Sequence, residues 1–568
     1  MVGAPPCPAL SERHWRRAQR LIAARFALAC AREGLLKATL QDLSWILDDG
    51  AAGLRIPLAR LGAFGLHSPD LEGPCSPQAE DPSTLLDALA PALGATKDTV
   101  EGLRAELVDS AFNLAMSSLL AELRDQAAAA GHSWPAPVDP ENLVVDGHPW
   151  HPMCKSRIGL RHAEVLRHAP EGLALGTIDA VDVTRDLVQL AGDAEATLAR
   201  LFPLGPPGTI RLPVHRAQLR RLPRLFPDLW GAKIRPTQLR PLEGRALLSL
   251  RTIAVERPEL HLKLALNVTT TSARRTVSPM SVANGPPLTR LFEQISAADP
   301  AIAGLFLLGD RAAAGLRAEV VGPRAPHLGA IVRDSPEALL RGATGSSAEA
   351  WVCAALGERR PAAKRTLLVE LAERQGSAEA LLRRYIELLV PPCLHLLSVY
   401  GLVLEVHLQN TLAAVDDDGL VGFVVRDLGG IRLHPGRLRS AGHSLSLAPG
   451  SFLATDDLAE VRDKLSHTLL HAHLAALFRW AERDLGLPAR RSWSLVRATI
   501  MRAAERVPAG RRDAALADRD ALLRPRTRAK ALLRMRFEDR ISDYAYTEVD
   551  NILAHPEVVA LATRELAR

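Results

Sequence analysis

Apolar residues recur at helical spacing across residues 11–48, with Ile22, Phe26, Ala29 and Cys30 on one face, so this stretch is predicted to be an amphipathic helix. At 67–83 (HSPDLEGPCSPQAEDPS) the pattern gives way to Pro, Gly and Ser, which predict a loop. Helical spacing resumes from Thr84 to Ala130, and 131–140 (GHSWPAPVDP) then reads as a linker. A helical N-terminal domain over 1–135 is therefore expected. From 141 to 335 strands mix with short helices. LHLKLALNV (260–268) alternates at period two like a half-buried strand. ALLSLRTIAV (246–255) is a second strand, with Arg257-Pro258-Glu259 as the turn between them. The chain reads as helical again from 346 through Tyr400, as a hairpin over 402–433, and as mostly helical from Asp456. The second and third domains are accordingly placed at 136–335 and 336–568. The expected fold class is α+β, and 568 residues are too many for one compact core.

Composition narrows the function classes. Hydrophobic residues make up 47% and charged residues 24%, which suits a globular protein in water. The net charge of +6 raises the question of nucleic acid, but the arginines are interleaved with Asp and Glu and form no basic run with aromatic neighbours. Scattered arginine equally suits small anionic substrates. Cys7, Cys30, Cys75, Cys154, Cys353 and Cys393 form no C-x-x-C pair, so neither a zinc ribbon nor a disulfide framework is expected. Arg25 interrupts the apolar stretch near the N-terminus, and no apolar run is long enough to span a membrane. A cytoplasmic enzyme is the expectation, without nucleic-acid or membrane partners.

Neither G-x-x-x-x-G-K-[ST] nor G-x-G-x-x-G occurs, so bound phosphates would have to be held by side chains. Three segments could do so. In VLEVHLQNTLAAVDDDGLVGFVVRDLGG (403–430), Glu405, His407 and Gln409 alternate with Leu404, Val406 and Leu408, as on a strand. Asp418-Gly419 is a hairpin turn signal, and folding about it brings Asp427 opposite 408–410. Glu405, His407, Gln409, Asn410 and Asp427 then converge, and two carboxylates among amides suit Mg²⁺ that also takes phosphate oxygens. A solvated sheet face is the alternative. The second segment joins Ser249, Arg251 and Thr252 to Lys263 and to Thr271, Ser272 and Arg275. Ser249 and Arg251 would share a strand face, and Thr271 or Ser272 would cap a helix whose free N–H groups bind an anion. An exposed Arg/Thr-rich hairpin is the other reading. The third is Gly147-His148-Pro149-Trp150-His151-Pro152-Met153-Cys154-Lys155-Ser156-Arg157, a rigid loop able to present His148, Lys155 and Arg157 to an anion. It lacks a fourth ligand for zinc, and it could also merely cross between domains.

The order of these motifs is more specific than any one of them. GHPxHPxxKxR, SLRT, K-L…T-S-x-x-R-T, E-x-H-x-Q-N and RD follow one another as in the IucA/IucC family of siderophore synthetases that work without a nonribosomal peptide synthetase. The chain resembles that family from about Glu141 to Asn551, with Arg333 and Lys530 also at basic positions; Arg216-Ala217 departs from the family's usual Pro-Trp. The resemblance implies a cupped hand of thumb, fingers and palm around one large cleft, and homodimers are common among its members. It implies an AMP-forming ligase that uses ATP and Mg²⁺ to adenylate citrate, a citrate derivative or a related dicarboxylate, which an amine or hydroxylamine partner then displaces from AMP.

By the same likeness, Ser249, Arg251, Thr252 and Lys263 would hold ATP phosphates, joined on the nucleotide side by His148, Gln409, Asn410 and Asp427. Thr271, Ser272, Arg275, His148, Lys155, His407 and Lys530 would line the acid site, and Glu405 and Asp427 would hold Mg²⁺. His407, Arg275 and Lys263 would be catalytic, His407 being the candidate base for aminolysis. A small-molecule kinase, suggested by the RD step but lacking the H-R-D order, and a non-enzymatic anion-binding protein are the competing classes.

Overall fold

The computed structural model describes residues 10–48, 53–134, 138–256, 258–271, 273–345, 347–538 and 544–567. The division expected at 135/136 and Ser272 lie outside or at the edge of these residues. The fold is mixed helix and sheet.

Helix α1 (Glu12–Arg32) is capped by Ser11, whose side chain accepts from the His14 N–H. Ile22, Phe26, Ala29 and Cys30 are buried as expected. The helix ends sixteen residues before the predicted limit of 48, because Ala38–Gln41 and Ser44–Leu47 pair as strands about a turn with Asp42 and Leu43 at positive φ. Helices α2 (Pro82–Leu93) and α3 (Lys97–Ala129) pack against α1, capped by Asp81 and Thr96. Their shared core also takes in Met153, Cys154 and Leu533.

A nine-stranded sheet positions the site. Its strands are β1 (Leu175–Thr184), β2 (Val188–Gly192), β3 (Thr209–His215), β4 (Leu242–Ala246), β5 (Thr252–Glu256), β6 (Glu259–Leu264), β7 (Ala312–Leu316) and β8 (Gly329–Asp334) in the order β2-β7-β8-β6-β5-β4-β1-β3, with Ile234–Pro236 beside β1. The strand expected over 246–255 is thus two strands, interrupted by a turn in which Leu250 has φ +68. Helix α4 (Pro279–Ala298) packs against β2 and β7.

A second sheet joins Leu305–Leu308, β10 (Gly419–Arg426), β9 (Thr411–Asp416) and Glu349–Val352. The predicted hairpin over 402–433 is the shorter β9–β10 pair, closed at Asp416↔Gly419. Leu402–Val403 pairs with Arg432–Leu433 in a separate ladder. Residues 404–410 are irregular, so Glu405, His407 and Gln409 are not on a strand. Their alternation survives as burial, with Leu404, Val406 and Leu408 inside the main core. That core runs from Phe64 through α5 (Ala378–His395) and α6 (Ala475–Leu485) to Val558.

Candidate active site

Sheet register assembles the first half of the site. Thr252 lies opposite Lys263 across β5–β6, and His261 lies opposite Arg333 across β6–β8. Directly opposed residues share a face, as do positions two apart, so Thr252, His261, Lys263 and Arg333 project together. Asp427, just past β10, meets them: Lys263 Nζ donates to its two oxygens at 2.5 and 2.7 Å. Arg333 stands 3.8 Å from Asp427 and donates to Asp310 at 2.6 Å. Asp427 has φ +75, a backbone state that costs a non-glycine residue on the order of 1–3 kcal/mol. Burial opposes its ionisation, but Lys263, Arg333 and Arg251 outweigh this and hold its pKa well below the usual carboxylate range. Burial lowers Lys263 to about 8 and Arg251 to about 10.

Glu405 anchors the second half. Its Oε1 accepts from Lys464 Nζ at 2.5 Å and its Oε2 from Asn410 Nδ2 at 3.3 Å. Burial would raise it, yet Lys464 and His407 hold it at about 2. Lys464 comes from the turn before a π-helix, Ser466–Leu474. Lys530 ends the strand Arg526–Lys530 and lies 3.7 Å over the Tyr544 ring; burial and then Lys464 lower it to about 7.

The 147–157 loop supplies neutral donors. His148 Nδ1 accepts from the Trp150 N–H at 3.3 Å, and His151 Nδ1 from the Met153 N–H at 3.1 Å. With Nδ1 accepting, the proton of each neutral ring sits on Nε2, which becomes a donor. Burial, then the neighbouring cations, lower His151 to about 3; burial and the adjacent His151 and His407 hold His148 well down. His407 has the same tautomer, its Nδ1 accepting from the Asn410 N–H at 3.4 Å and its Nε2 standing 3.9 Å from Glu405.

Arg275 completes the group. It donates through Nε to Thr270 Oγ1, and through one terminal nitrogen to the Thr270 carbonyl at 3.1 Å and to Thr271 Oγ1. It bears electrostatically on Asp427 and Glu405. Six cations (Arg251, Lys263, Arg275, Arg333, Lys464, Lys530) therefore surround three carboxylates (Asp310, Glu405, Asp427). This excess of buried positive charge is built for polyanions. Beside it, a cleft combines Lys263 and Asp427 with Met280, Leu288, Ile331 and Phe452, offering an apolar surface next to charge.

Residues 137–358 match the IucA / IucC family, and 379–545 match the ferric iron reductase FhuF-like transporter family. Staphyloferrin A synthase of Staphylococcus aureus is 27% identical over 437 residues, covering 72% of each chain. Residues 137–358 therefore carry an IucA/IucC-family domain. D-ornithine–citrate ligase of the same organism is 24% identical over 73% of this chain and 69% of its own. The structure of ATP-bound aerobactin synthetase IucA from a hypervirulent pathotype of Klebsiella pneumoniae superposes with a TM-score of 0.74, at 19% identity, over 94% of this chain and 99% of that one, which establishes a shared fold.

The structure brings many of the residues named from sequence together, but three local readings change. Ser249 and Arg251 lie in the turn between β4 and β5 and share no strand face. Ser249 Oγ donates to Thr252 Oγ1 at 2.7 Å, and Arg251 donates to the Thr276 carbonyl. No helix starts at Thr271. Thr269–Thr270 pairs with Ala273–Arg274 about Thr271 at φ +48, and the next helix is α4, capped by Ser278. Thr271 N–H is already spent on Ser156 Oγ at 3.2 Å, so helix-terminal anion binding is absent there. Lys155 faces no ligand space: it is 2% exposed and donates to the Val144 carbonyl and Glu171 at 3.0 and 3.2 Å. Arg157 shares Glu171. Gln409 gives its carbonyl to Arg426 at 2.9 Å, which orients the loop carrying His407. Asp310 and Lys464 were missed because no local motif marks them.

Proposed function

We propose that this chain is an ATP-dependent siderophore synthetase that adenylates a citrate-like carboxylate and joins it to an amine. The observation that carries this reading is the buried cluster of six cations around ionised Asp427 and Glu405. ATP and a polycarboxylate together present more negative charge than a single-anion site needs, and preorganised cations stabilise charge that develops on phosphate oxygens. The IucA/IucC-family domain, the ligase relative and the ATP-bound neighbour support the same chemistry.

In this reading Ser249, Arg251, Thr252 and Lys263 hold the phosphates. Arg275, Thr271, Lys530 and the Nε2–H donors of His148 and His407 hold the acid. A carboxylate oxygen attacks the α-phosphorus. The new P–O bond forms as the bond to pyrophosphate breaks, and pyrophosphate leaves with the electron pair. The amine nitrogen then attacks the acyl carbon, the C–O bond to AMP breaks, and the nitrogen's surplus proton passes to a base. Burial keeps His407 neutral against the pull of Glu405; with Nδ1 accepting from the Asn410 N–H its Nε2 carries the proton, so it serves as a donor to the acid and the base is another group. Both carboxylates are ionised and offer hard oxygen donors, so Glu405 and Asp427 would hold Mg²⁺ in place of their present partners Lys464 and Lys263. When bound, the ion neutralises phosphate charge.

Chromatography of nucleotides after incubation with ATP, citrate and hydroxylamine should show AMP together with a hydroxamate. ADP and phosphate without AMP would overturn the proposal in favour of a kinase.

A further inference from the structure

Amide formation leaves a surplus proton on nitrogen, and the three histidines of the acid site are not set up to take it. In His148, His151 and His407 a backbone N–H occupies Nδ1, which leaves the proton on Nε2 and makes each ring a donor. The acceptor has to come from another element around the same space. The π-helix Ser466–Leu474 borders it, and π-helical turns are rare and concentrate at functional sites.

This helix is bonded at both ends to the segment that carries Glu405 and His407. Lys464, in the turn before it, donates to Glu405 Oε1 at 2.5 Å, and His473 Nδ1 lies 2.7 Å from the Val406 carbonyl. A third link, Ser466 Oγ to Thr527 Oγ1 at 3.1 Å, ties its start to the strand that ends in Lys530. Residues three and four apart lie on one face of a helix. His467 is three residues on from Lys464, so the face that reaches Glu405 also carries His467.

The other two histidines of the helix are occupied. His473 has Val406 on one nitrogen and the Tyr385 hydroxyl on the other at 2.6 Å. His471 is enclosed, packed on the Phe64 ring with Ser466 Oγ 3.5 Å from its Nε2. The His467 ring is half-buried. Its Nδ1 is shielded and has no partner; among the described residues its Nε2 has none either and is open to solvent. No protein hydrogen bond fixes its tautomer, so Nε2 is free to present a lone pair. Burial, then Lys530, His471, Lys464 and Arg32, hold the ring well below the usual histidine range, so it is neutral.

We propose that His467 is the base of the amide-forming step. The amine nitrogen attacks the acyl carbon, and the bond from that carbon to the AMP oxygen breaks with its electron pair going to the phosphate. The surplus N–H proton passes to the His467 Nε2 lone pair, and the imidazolium then releases it to solvent. A weak base suffices, because a positively charged nitrogen on the tetrahedral carbon is a far stronger acid than a free ammonium. Lys530, the cation that bears most on His467, is the one assigned to the acid, which sets the acyl carbon on this side of the site. This deepens the ligase reading and rests on it for the acyl-adenylate.

The test separates the two half-reactions, with hydroxylamine as the amine probe. The first is exchange of pyrophosphate into ATP with citrate or a related dicarboxylate and no amine, and the second is hydroxamate formation. His467→Ala and His467→Gln should each keep exchange within a few-fold of the parent, which also reports that they fold. Both should lower kcat for hydroxamate formation by about 10²-fold or more, the usual contribution of a positioned base, with the KM for hydroxylamine little changed. Added imidazole should restore turnover to the Ala variant, where the lost ring leaves room, and not to the Gln variant. Four outcomes overturn the proposal: exchange and hydroxamate formation fall in proportion, which would make His467 a support of the acid site; the loss lies in KM; imidazole restores neither variant or both alike; or hydroxamate formation does not change. A parent that forms no AMP would sink the ligase reading and this role with it. AMP and hydroxamate formation in the parent, unmoved by either variant, would sink this role alone.

Discussion

Replacing Arg275 with Ala should cost far more than replacing Arg274. The two are neighbours at the end of the short Thr269–Arg274 hairpin, where extended backbone sends successive side chains to opposite sides. Arg274 is exposed, whereas Arg275 points inward and bears on Asp427 and Glu405. Nε and one terminal nitrogen of Arg275 are occupied by Thr270 and Thr271. Among the described residues the other terminal nitrogen has no protein partner, so it is available to a ligand oxygen. A unit charge about 4 Å from a developing anion is worth roughly 4 kcal/mol at an effective dielectric of about 20. Loss of a preorganised donor to such an oxygen costs about 10²–10³ in rate. Arg275→Ala should therefore reduce acid-dependent pyrophosphate release by about 100-fold or more. Arg274→Ala should stay within a few-fold of the parent, as exposed substitutions do. Arg275→Lys should rescue in part, because an ammonium cannot both keep the threonine contacts and reach outward. The assay is pyrophosphate release at saturating ATP, with circular dichroism to confirm folding. Equal losses at the two positions, or the larger loss at 274, would refute the geometric argument.

Glu405→Gln and Asp427→Asn should each raise the Mg²⁺ concentration for half-maximal turnover by about tenfold or more, since each removes one charged oxygen donor; unchanged titrations of both would remove them from the metal site. Burial and Lys464 lower Lys530 to about 7, and in the acid-binding role proposed for it only the charged form binds, so kcat/KM for the acid should fall as pH rises through that value. Lys530→Arg stays charged and should flatten this alkaline limb; a limb that persists belongs to another group. Away from the site, Asp518 accepts from Arg437 at 2.6 and 3.0 Å, from Arg462 at 2.8 Å and from Ser398 at 2.8 Å. Asp518→Ala strands two cations and should destabilise the fold by about 3–5 kcal/mol in urea unfolding; a change below about 1 kcal/mol would show that water replaces the carboxylate.

The site was more legible in the sequence than the local backbone that builds it. Glu405, His407 and Gln409 alternate with buried Leu404, Val406 and Leu408 as a strand would, yet the segment is irregular. The alternation came from packing one side on the core, and ladder pairing begins only at Thr411. The helix expected at 272 starts at Pro279. Ser278-Pro279 is a helix-start signal that was present in the sequence. The Thr-rich segment before it instead doubles back on the 147–157 loop, through Thr269 N–H to the Ile158 carbonyl at 2.9 Å and Thr271 N–H to Ser156. Lys155 looked like a ligand because it follows the His-Pro steps, and only the fold brings Glu171 to it. Lys464 and Asp310 pair with Glu405 and Arg333 across long stretches of chain, and such pairings leave no local mark.

The central claim is that an acyl-adenylate forms on the cation cluster before any amine arrives. It is tested most directly by exchange of labelled pyrophosphate into ATP with the acid present and the amine absent. The account predicts exchange that depends on citrate or a related dicarboxylate, requires Mg²⁺, and is lost in Arg275→Ala. ATP turnover to ADP and phosphate under the same conditions, with no label entering ATP for any acid, would contradict it.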